Sequence, residues 1–261
     1  MFLETETPAL CAEGLHFSWG NRSVLRGMSL TVYPGEILAI VGESGSGKST
    51  LLQILYGLQQ PSAGTVQLMD ATGQLHDLNT LGQQTLRTLQ RTQWAYVQQN
   101  PRDALRMGFT VGANLIERLL AMGQRHYGQL RHAARDWLTR VEIDPDRMDE
   151  LPETFSGGML QRLQLARVLI SQPRILLLDE PTGGLDVSVQ AALLDLLRRL
   201  AADTQMAVIL VTHDLAVARL LAQRVAVMRE GQIIESGLID QVLDDPQTPN
   251  TQLLVSSVLS L

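Results

Sequence analysis

Of the 21 lysine and arginine residues in this chain, one is lysine: Lys48, inside Gly42-Glu43-Ser44-Gly45-Ser46-Gly47-Lys48-Ser49-Thr50. The spacing is G-x-x-x-x-G-K-[ST], and the chemistry it serves is phosphate binding. The glycines let backbone N–H groups cradle phosphate oxygens, and the hydroxyl of Ser49 can ligate Mg²⁺. Arginine, used everywhere else in the chain, offers a planar fork. The ammonium of lysine is a compact point charge that can fold over a loop and lie against β- and γ-phosphate oxygens.

Other residues extend that chemistry. Ile175-Leu176-Leu177-Leu178 is an apolar run that ends in Asp179-Glu180, followed by Pro181-Thr182. Asp179 would hold Mg²⁺ directly or through water at the carboxyl end of a strand, and Glu180 can polarise the attacking water. Ser156-Gly157-Gly158 opens a helical run, Met159 to Arg167. Small residues at a helix start expose N–H groups to an anion, although a serine N-cap is the ordinary reading of the same pattern. Two phosphate sites in one chain suggest that the second acts on another subunit's nucleotide. His213 follows Val211-Thr212, where an imidazole could contact a γ-phosphate and sense its loss. The amide of Gln99, before Asn100-Pro101, could ligate Mg²⁺ or orient water. Trp19 could stack on a base, and Phe17 is its rival for that role.

These residues need elements to carry them. Glu36–Val41 reads as a buried parallel strand and Thr50–Leu55 as the helix after the loop, so the helix N-terminus faces the anion. Residues 10–33 alternate as a small antiparallel sheet would, with a turn at Gly20-Asn21 and a strand over Ser29–Tyr33. Thr65–Leu68 and Trp94–Val97 read as strands, and 71–93 as a polar loop plus a helix. Residues 102–155 read as helical. There Leu130, Ala133, Ala134, Trp137, Leu138 and Val141 share one apolar face, while Arg131, Arg135, Asp136 and Arg140 share a solvated one. Met206–Val211 is a further buried strand, and the leucines from Leu193 to Leu200 line a helix between it and the Asp179 strand. Val225–Met228 and Gln232–Glu235 read as a closing hairpin around Glu230-Gly231.

Composition sets outer limits. The 261 residues, 45% hydrophobic, suit one large α/β domain with a subdomain. A net charge of −6 argues against a nucleic-acid-binding surface. The single cysteine, Cys11, rules out an internal disulfide and fits a reducing compartment. No apolar stretch reaches the ~18 residues of a membrane span, and Met1–Leu10 lacks a basic-then-apolar signal pattern. The expectation is a cytoplasmic protein without direct membrane insertion.

Taken in order, Trp19, residues 42–50, Gln99, 155–159, 175–180, Gly184-Leu185-Asp186 and His213 resemble the motifs of an ATP-binding-cassette (ABC) ATPase over nearly the whole chain. The resemblance implies an α/β P-loop NTPase core with a small antiparallel β subdomain and an inserted α-helical subdomain. On this reading 1–97 is the first part of the core, 98–155 the helical subdomain, 156–240 the second part of the core and 241–261 a helical extension. It also implies ATP and Mg²⁺, and a head-to-tail pair with a second cassette, either a copy or a related subunit. Each ATP would lie between one chain's 42–50 loop and the other's Ser156, Gly157 and Gly158. Two departures from the general family pattern stand out. The signature segment begins with Phe155 and ends with Met159, where most members have leucine and glutamine, so its nucleotide contacts should be thinner. Gly183-Gly184 replaces a small polar residue and alanine.

Within the family, 186–190 and 249–254 resemble oligopeptide and dipeptide importer cassettes. Residues 125–128, 154–159, 183–191 and 252–259 resemble the cassettes of carbon–phosphorus lyase systems for phosphonate breakdown. That second resemblance implies docking on a soluble enzyme core rather than a permease, with 125–128 and 252–259 as candidate contacts. An importer ATPase of peptide, nickel or phosphonate type is the alternative.

Overall fold

Strands with alternating burial and strands buried on both faces sort this chain into two sheets. The computed structural model describes residues 7–183, 185 and 187–259, with side chains through 256. Met1–Glu6, Gly184, Asp186 and the side chains of 257–259, on all of which the sequence analysis placed expectations, lie outside the described residues.

The first sheet contains β1 (Leu10–Trp19) and β2 (Arg22–Val32), joined by the Gly20-Asn21 turn. The second begins with β3 (Ile37–Val41), which feeds the glycine loop and α1 (Lys48–Leu55). The chain then returns to the first sheet as β4 (Ala63–Met69) and β5 (Leu75–Asp77), giving an antiparallel order β2-β1-β4-β5. The polar segment 71–93 therefore holds a strand as well as α2 (Gln83–Thr92). Three polar-flanked residues carry no legible alternation, and β5 forms only because β4 offers an open edge, with Gln67 opposite Asp77 and Met69 opposite Leu75.

After β6 (Trp94–Val97) come α3 (Pro101–Ala104), α4 (Val111–Ala121), α5 (Tyr127–Arg140), short 3₁₀ turns over Pro145–Asp149 and Pro152–Thr154, and α6 (Gly157–Leu169). The parallel pattern resumes with β7 (Ile175–Asp179), α7 (Val187–Thr204), β8 (Ala207–Thr212) and α8 (Leu215–Leu221). It closes with the hairpin β9 (Arg224–Arg229) and β10 (Gln232–Leu238), then α9 (Ile239–Asp244) and α10 (Pro249–Leu259). The hairpin turn puts Glu230 and Gly231 both in the left-handed region (φ 48° and 80°), the backbone a two-residue primed turn requires.

The second sheet runs β10-β9-β3-β8-β7-β6, parallel except for β10. Alternate residues of β3 enter two cores. Ile37, Ala39 and Val41 face the helical side, with α4, α5 and α6. Leu38 and Ile40 face α1 and the antiparallel sheet. A strand covered on both faces must be apolar throughout, as β3, β7 and β8 are. Glu36, read as the start of that apolar run, instead sits fully buried just before it. Its carboxylate accepts from Tyr33 N (2.8 Å) and from Arg224 (2.7 Å), which ties the start of β3 to β9.

The apolar face expected on α5 is present, with Leu130, Ala134, Trp137 and Leu138 buried. Its charged face is more than solvated. Arg131 forks onto Asp149 (2.9 and 2.9 Å) and Arg135 reaches Asp146 (2.8 Å), so the 3₁₀ turn docks there.

Candidate functional site

Sheet order alone brings the predicted residues together. β3, β8, β7 and β6 are neighbours and parallel. The loop carrying Lys48, then His213, then Asp179 with Glu180, then Gln99 therefore emerge along one carboxyl edge, where open parallel sheets place their ligands. A cleft of about 440 Å³ opens there, lined by Trp19, Arg22, Val24, residues of the 44–50 loop, Gln99 and Glu180.

The loop is fitted to its hairpin. At Gly42 a Cβ would stand 2.1 Å from the carbonyl oxygen of Met228, so a side chain is excluded. The carbonyl of Ser46 accepts from Gly231 N (3.0 Å), which pins the loop to the β9–β10 turn. Ser46 itself is buried and its Oγ has no hydrogen-bond partner among the described residues. Lys48, 6% exposed, donates to the carbonyls of Gly42 (2.7 Å) and Glu43 (2.9 Å). Burial pushes its ammonium below the usual lysine range, and the nearby carboxylates of Glu180 and Asp179 oppose that shift. Ser44, Gly45, Gly47, Ser49 and Thr50 complete the cradle on the cleft side.

Asp179 is half of a tight pair of interactions. Ser49 donates to its Oδ1 (3.0 Å) and Tyr96 donates to its Oδ2 (3.1 Å). Burial raises the Asp179 carboxyl above the usual carboxylate range, against those two hydrogen bonds. Tyr96, whose own phenol is raised by burial, is a residue the sequence reading placed only as a strand position. A strand of four residues with no alternation in its burial gives no local signal for that role, which depends on the pairing of β6 with β7. Arg22 and Val24, also in the cleft wall, had no motif to mark them.

Glu180 adopts a left-handed backbone (φ 44°), uncommon for a residue with a Cβ and a recurring feature of functional turns. Its N–H donates to Val211 O (2.9 Å), which fixes the turn at the strand end. The carboxylate is thereby presented between two partners. Gln99 donates to Oε2 (3.0 Å), and Nδ1 of His213 lies 3.1 Å from Oε1. Gln99 thus touches Glu180; no direct contact with Asp179 or Ser49 accompanies it among the described residues.

Trp19 and Phe17 separate cleanly. Phe17 is 8% exposed and belongs to the core, whereas Trp19 is 50% exposed on the cleft wall and meets Phe17 edge to face (5.0 Å). Ser156 caps α6, its Oγ accepting from Met159 N (3.4 Å). Gly157 has open space around its Cβ position, and Gly158 packs against Val189 of α7. None of Ser156, Gly157 and Gly158 lines the cleft. Met159 turns inward to Arg147 rather than outward (Nη1–Sδ 3.5 Å). Arg125 donates to the carbonyls of Leu120 (2.6 Å) and Gln124 (2.9 Å), and His126 caps α5, so both have structural work at helix ends.

A glycine cradle at the end of β3 and two carboxylates at the end of β7, one strand removed on the same sheet edge, define a P-loop nucleotide hydrolase. A family model, ABC transporter, matches residues 25–183, and the chain belongs to that family of ATPases. It is 51% identical over 97% of its length to the ATP-binding protein PhnK of Escherichia coli (strain K12), 98% of which is covered and whose name assigns it to phosphonates utilization. It is 39% identical over 95% of its length to the dipeptide transport ATP-binding protein DppD of Bacillus subtilis (strain 168), covering 76% of it. Among solved structures, the ATP-binding cassette MJ0796 in a dimeric post-hydrolysis state bound to ADP and Pi superposes with a TM-score of 0.77 at 28% identity, covering 88% of this chain and 98% of that one. CbiO1 from Clostridium perfringens superposes with a TM-score of 0.80 at 27% identity and 92% coverage of each chain. The α/β core with an antiparallel β subdomain and a helical subdomain, expected from the sequence, is the architecture of this family. Among the described residues no helix is long and apolar enough to cross a membrane.

Proposed function

We propose that this chain is the Mg²⁺-dependent ATPase of a phosphonate-breakdown system, acting in the cytoplasm as one half of a pair of cassettes docked on a soluble carbon–phosphorus lyase core. The observation that carries the ATPase chemistry is the row Lys48, Ser49–Asp179, Glu180–His213 and Gln99 along one sheet edge. The observation that carries the pairing is that Ser156, Gly157 and Gly158 stand outside their own chain's cleft. The phosphonate assignment rests on the 51% identity to PhnK along nearly the whole of both chains.

Ser49 Oγ and Asp179 Oδ1 are hard oxygen donors 3.0 Å apart, and one or two such groups with phosphate oxygens are the usual set for Mg²⁺. Bound there, the ion would neutralise charge on the β- and γ-phosphate oxygens; Gln99, which donates to Glu180 on the same sheet edge, would join it or orient water. Phosphoryl transfer is mostly positioning and charge neutralisation, and the side chains divide that work. Lys48 leaves its loop carbonyls for the phosphate oxygens of ATP. The buried Ser46 hydroxyl and the loop N–H groups are the remaining donors. Glu180 orients the attacking water and takes its proton. His213 steadies Glu180 and contacts the γ-phosphate. Trp19 stacks on the adenine. Gly157 and its neighbours approach the γ-phosphate from the opposing cassette.

Trp19→Ala should weaken ATP binding about tenfold, the worth of one aromatic–base stack. Trp94 and Trp137 are buried, so ATP should quench mainly the Trp19 fluorescence, and a titration of that signal checks both points. Equal affinity in the variant, or no quench, would remove Trp19 from the site.

An importer ATPase is the second reading, favoured by the 39% identity to DppD. Affinity capture of the chain from cells living on a phosphonate as sole phosphorus source separates the two. Recovery of a soluble lyase core without detergent is the expected result. Recovery only of a membrane permease in detergent would overturn the lyase assignment and leave the ATPase chemistry in place.

A further inference from the structure

We propose that Arg147 is the positioning residue of the Ser156–Gly158 segment, setting the loop that completes the opposing cassette's nucleotide site. The inference rests on the reading that this segment works on a partner's ATP.

Arg147 lies in the 3₁₀ turn Pro145–Asp149 and is absent from the cleft wall. Its guanidinium nonetheless reaches residues on both sides of the segment. Nε and Nη2 fork onto the two carboxylate oxygens of Glu150 (3.0 and 2.7 Å). Nη2 also meets Thr154 Oγ1 (3.4 Å), and that hydroxyl donates to Glu150 Oε2 (2.8 Å). The guanidinium carbon stands 4.4 Å from the centre of the buried Phe155 ring. Nη1 approaches Met159 Sδ at 3.5 Å. One planar group thus ties the residues immediately before Ser156 to the first turn of α6 after Gly158.

The chemistry requires arginine. A flat cation with five donors can fork a carboxylate at its edge while its face lies on an aromatic ring, and an ammonium cannot do both. The two residues it grips beyond Glu150 and Thr154 are Phe155 and Met159, the positions where this signature departs from leucine and glutamine. Leucine has no ring face for the cation, so the departures and the arginine form one unit. With Phe155 and Met159 held inward, Ser156 is left to cap α6. Gly157 then faces open space, the side from which a second chain must approach.

The test uses full-length chains carrying Glu180→Gln, alone and combined with Arg147→Ala or Arg147→Lys. Two quantities are read. One is the affinity of dilute, unpaired chains for a fluorescent ATP analogue, and the other is the ATP concentration at which pairing appears in light scattering. Both double variants should bind the analogue as tightly as their parent and need about tenfold more ATP to pair, the scale of a lost charge-assisted fork. Pairing at the parent's ATP concentration would overturn the proposal. So would an equal loss of analogue binding, which would mark Arg147 as a general support of the fold. Arg147→Lys keeps the cation and its stem, so it decides the matter even where Arg147→Ala fails to fold. Failure of Glu180→Gln alone to pair would instead strike the underlying reading, and it shows before any change at Arg147 is made.

Discussion

Lys48→Arg loses ATP affinity by on the order of 10²–10³-fold, although the charge is unchanged; this is the cost expected when a buried charge loses its partners. The space explains the sign. Lys48 is 6% exposed and its Nζ sits within 2.7 and 2.9 Å of two loop carbonyls. The loop around it is held by the hairpin contact of Ser46 with Gly231 and by the approach of Gly42 to Met228. A rigid planar fork is wider than an ammonium and cannot turn inside that curve, whereas the ammonium pivots from carbonyl to phosphate. Lys48 is the chain's one lysine, which makes the check direct. A lysine-directed reagent should modify Lys48 and the N-terminal amine only, and ATP should protect Lys48. In the arginine variant the fluorescence titration at Trp19 should stay flat. Retained affinity would show that the site needs only a positive charge there.

Glu180→Gln should bind ATP normally and hydrolyse it about 10²–10³-fold more slowly, the range a positioned general base contributes. The carboxylate is aimed by a left-handed turn and held by Gln99 and His213, and glutamine keeps that geometry while giving up the proton acceptor. Binding without hydrolysis should leave pairs closed on ATP. A single-turnover phosphate-release measurement, with light scattering on the same sample, reads both consequences. Normal turnover would remove Glu180 from its role.

The residues that carry this chemistry were legible because backbone geometry fixes their spacing. A glycine loop between a buried strand and a helix, and carboxylates at the end of an apolar strand, are readable from types and order alone. The rest depended on contacts between distant segments. Tyr96 reaches Asp179, 83 positions away, only because β6 and β7 are neighbours, a pairing that no local pattern announces. Glu36 looked like part of a strand because its partner, Arg224, lies 188 positions away. β5 is a strand by courtesy of the β4 edge and has no alternation of its own. The charged face of α5 reads as solvated in sequence and is exposed, but the ion pairs that Arg131 and Arg135 make to the 3₁₀ turn, 18 and 11 positions away, have no local signature. The inward turn of Met159 was equally hidden, since Arg147 is what draws it in.

If each ATP is completed by a second chain, two inactive variants mixed together should restore activity. Lys48→Arg disables the loop that holds ATP and leaves the Ser156–Gly158 segment intact. Gly157→Asp does the reverse: its Cβ position is open, so the fold should tolerate it, while a carboxylate there repels the partner's phosphates. Each variant alone should release phosphate at a small fraction of the wild-type rate. Mixed in equal amounts, they should form pairs with one sound composite site and recover a substantial part of the activity. A mixture no faster than the sum of its two components, or a Gly157→Asp chain fully active alone, would contradict the account.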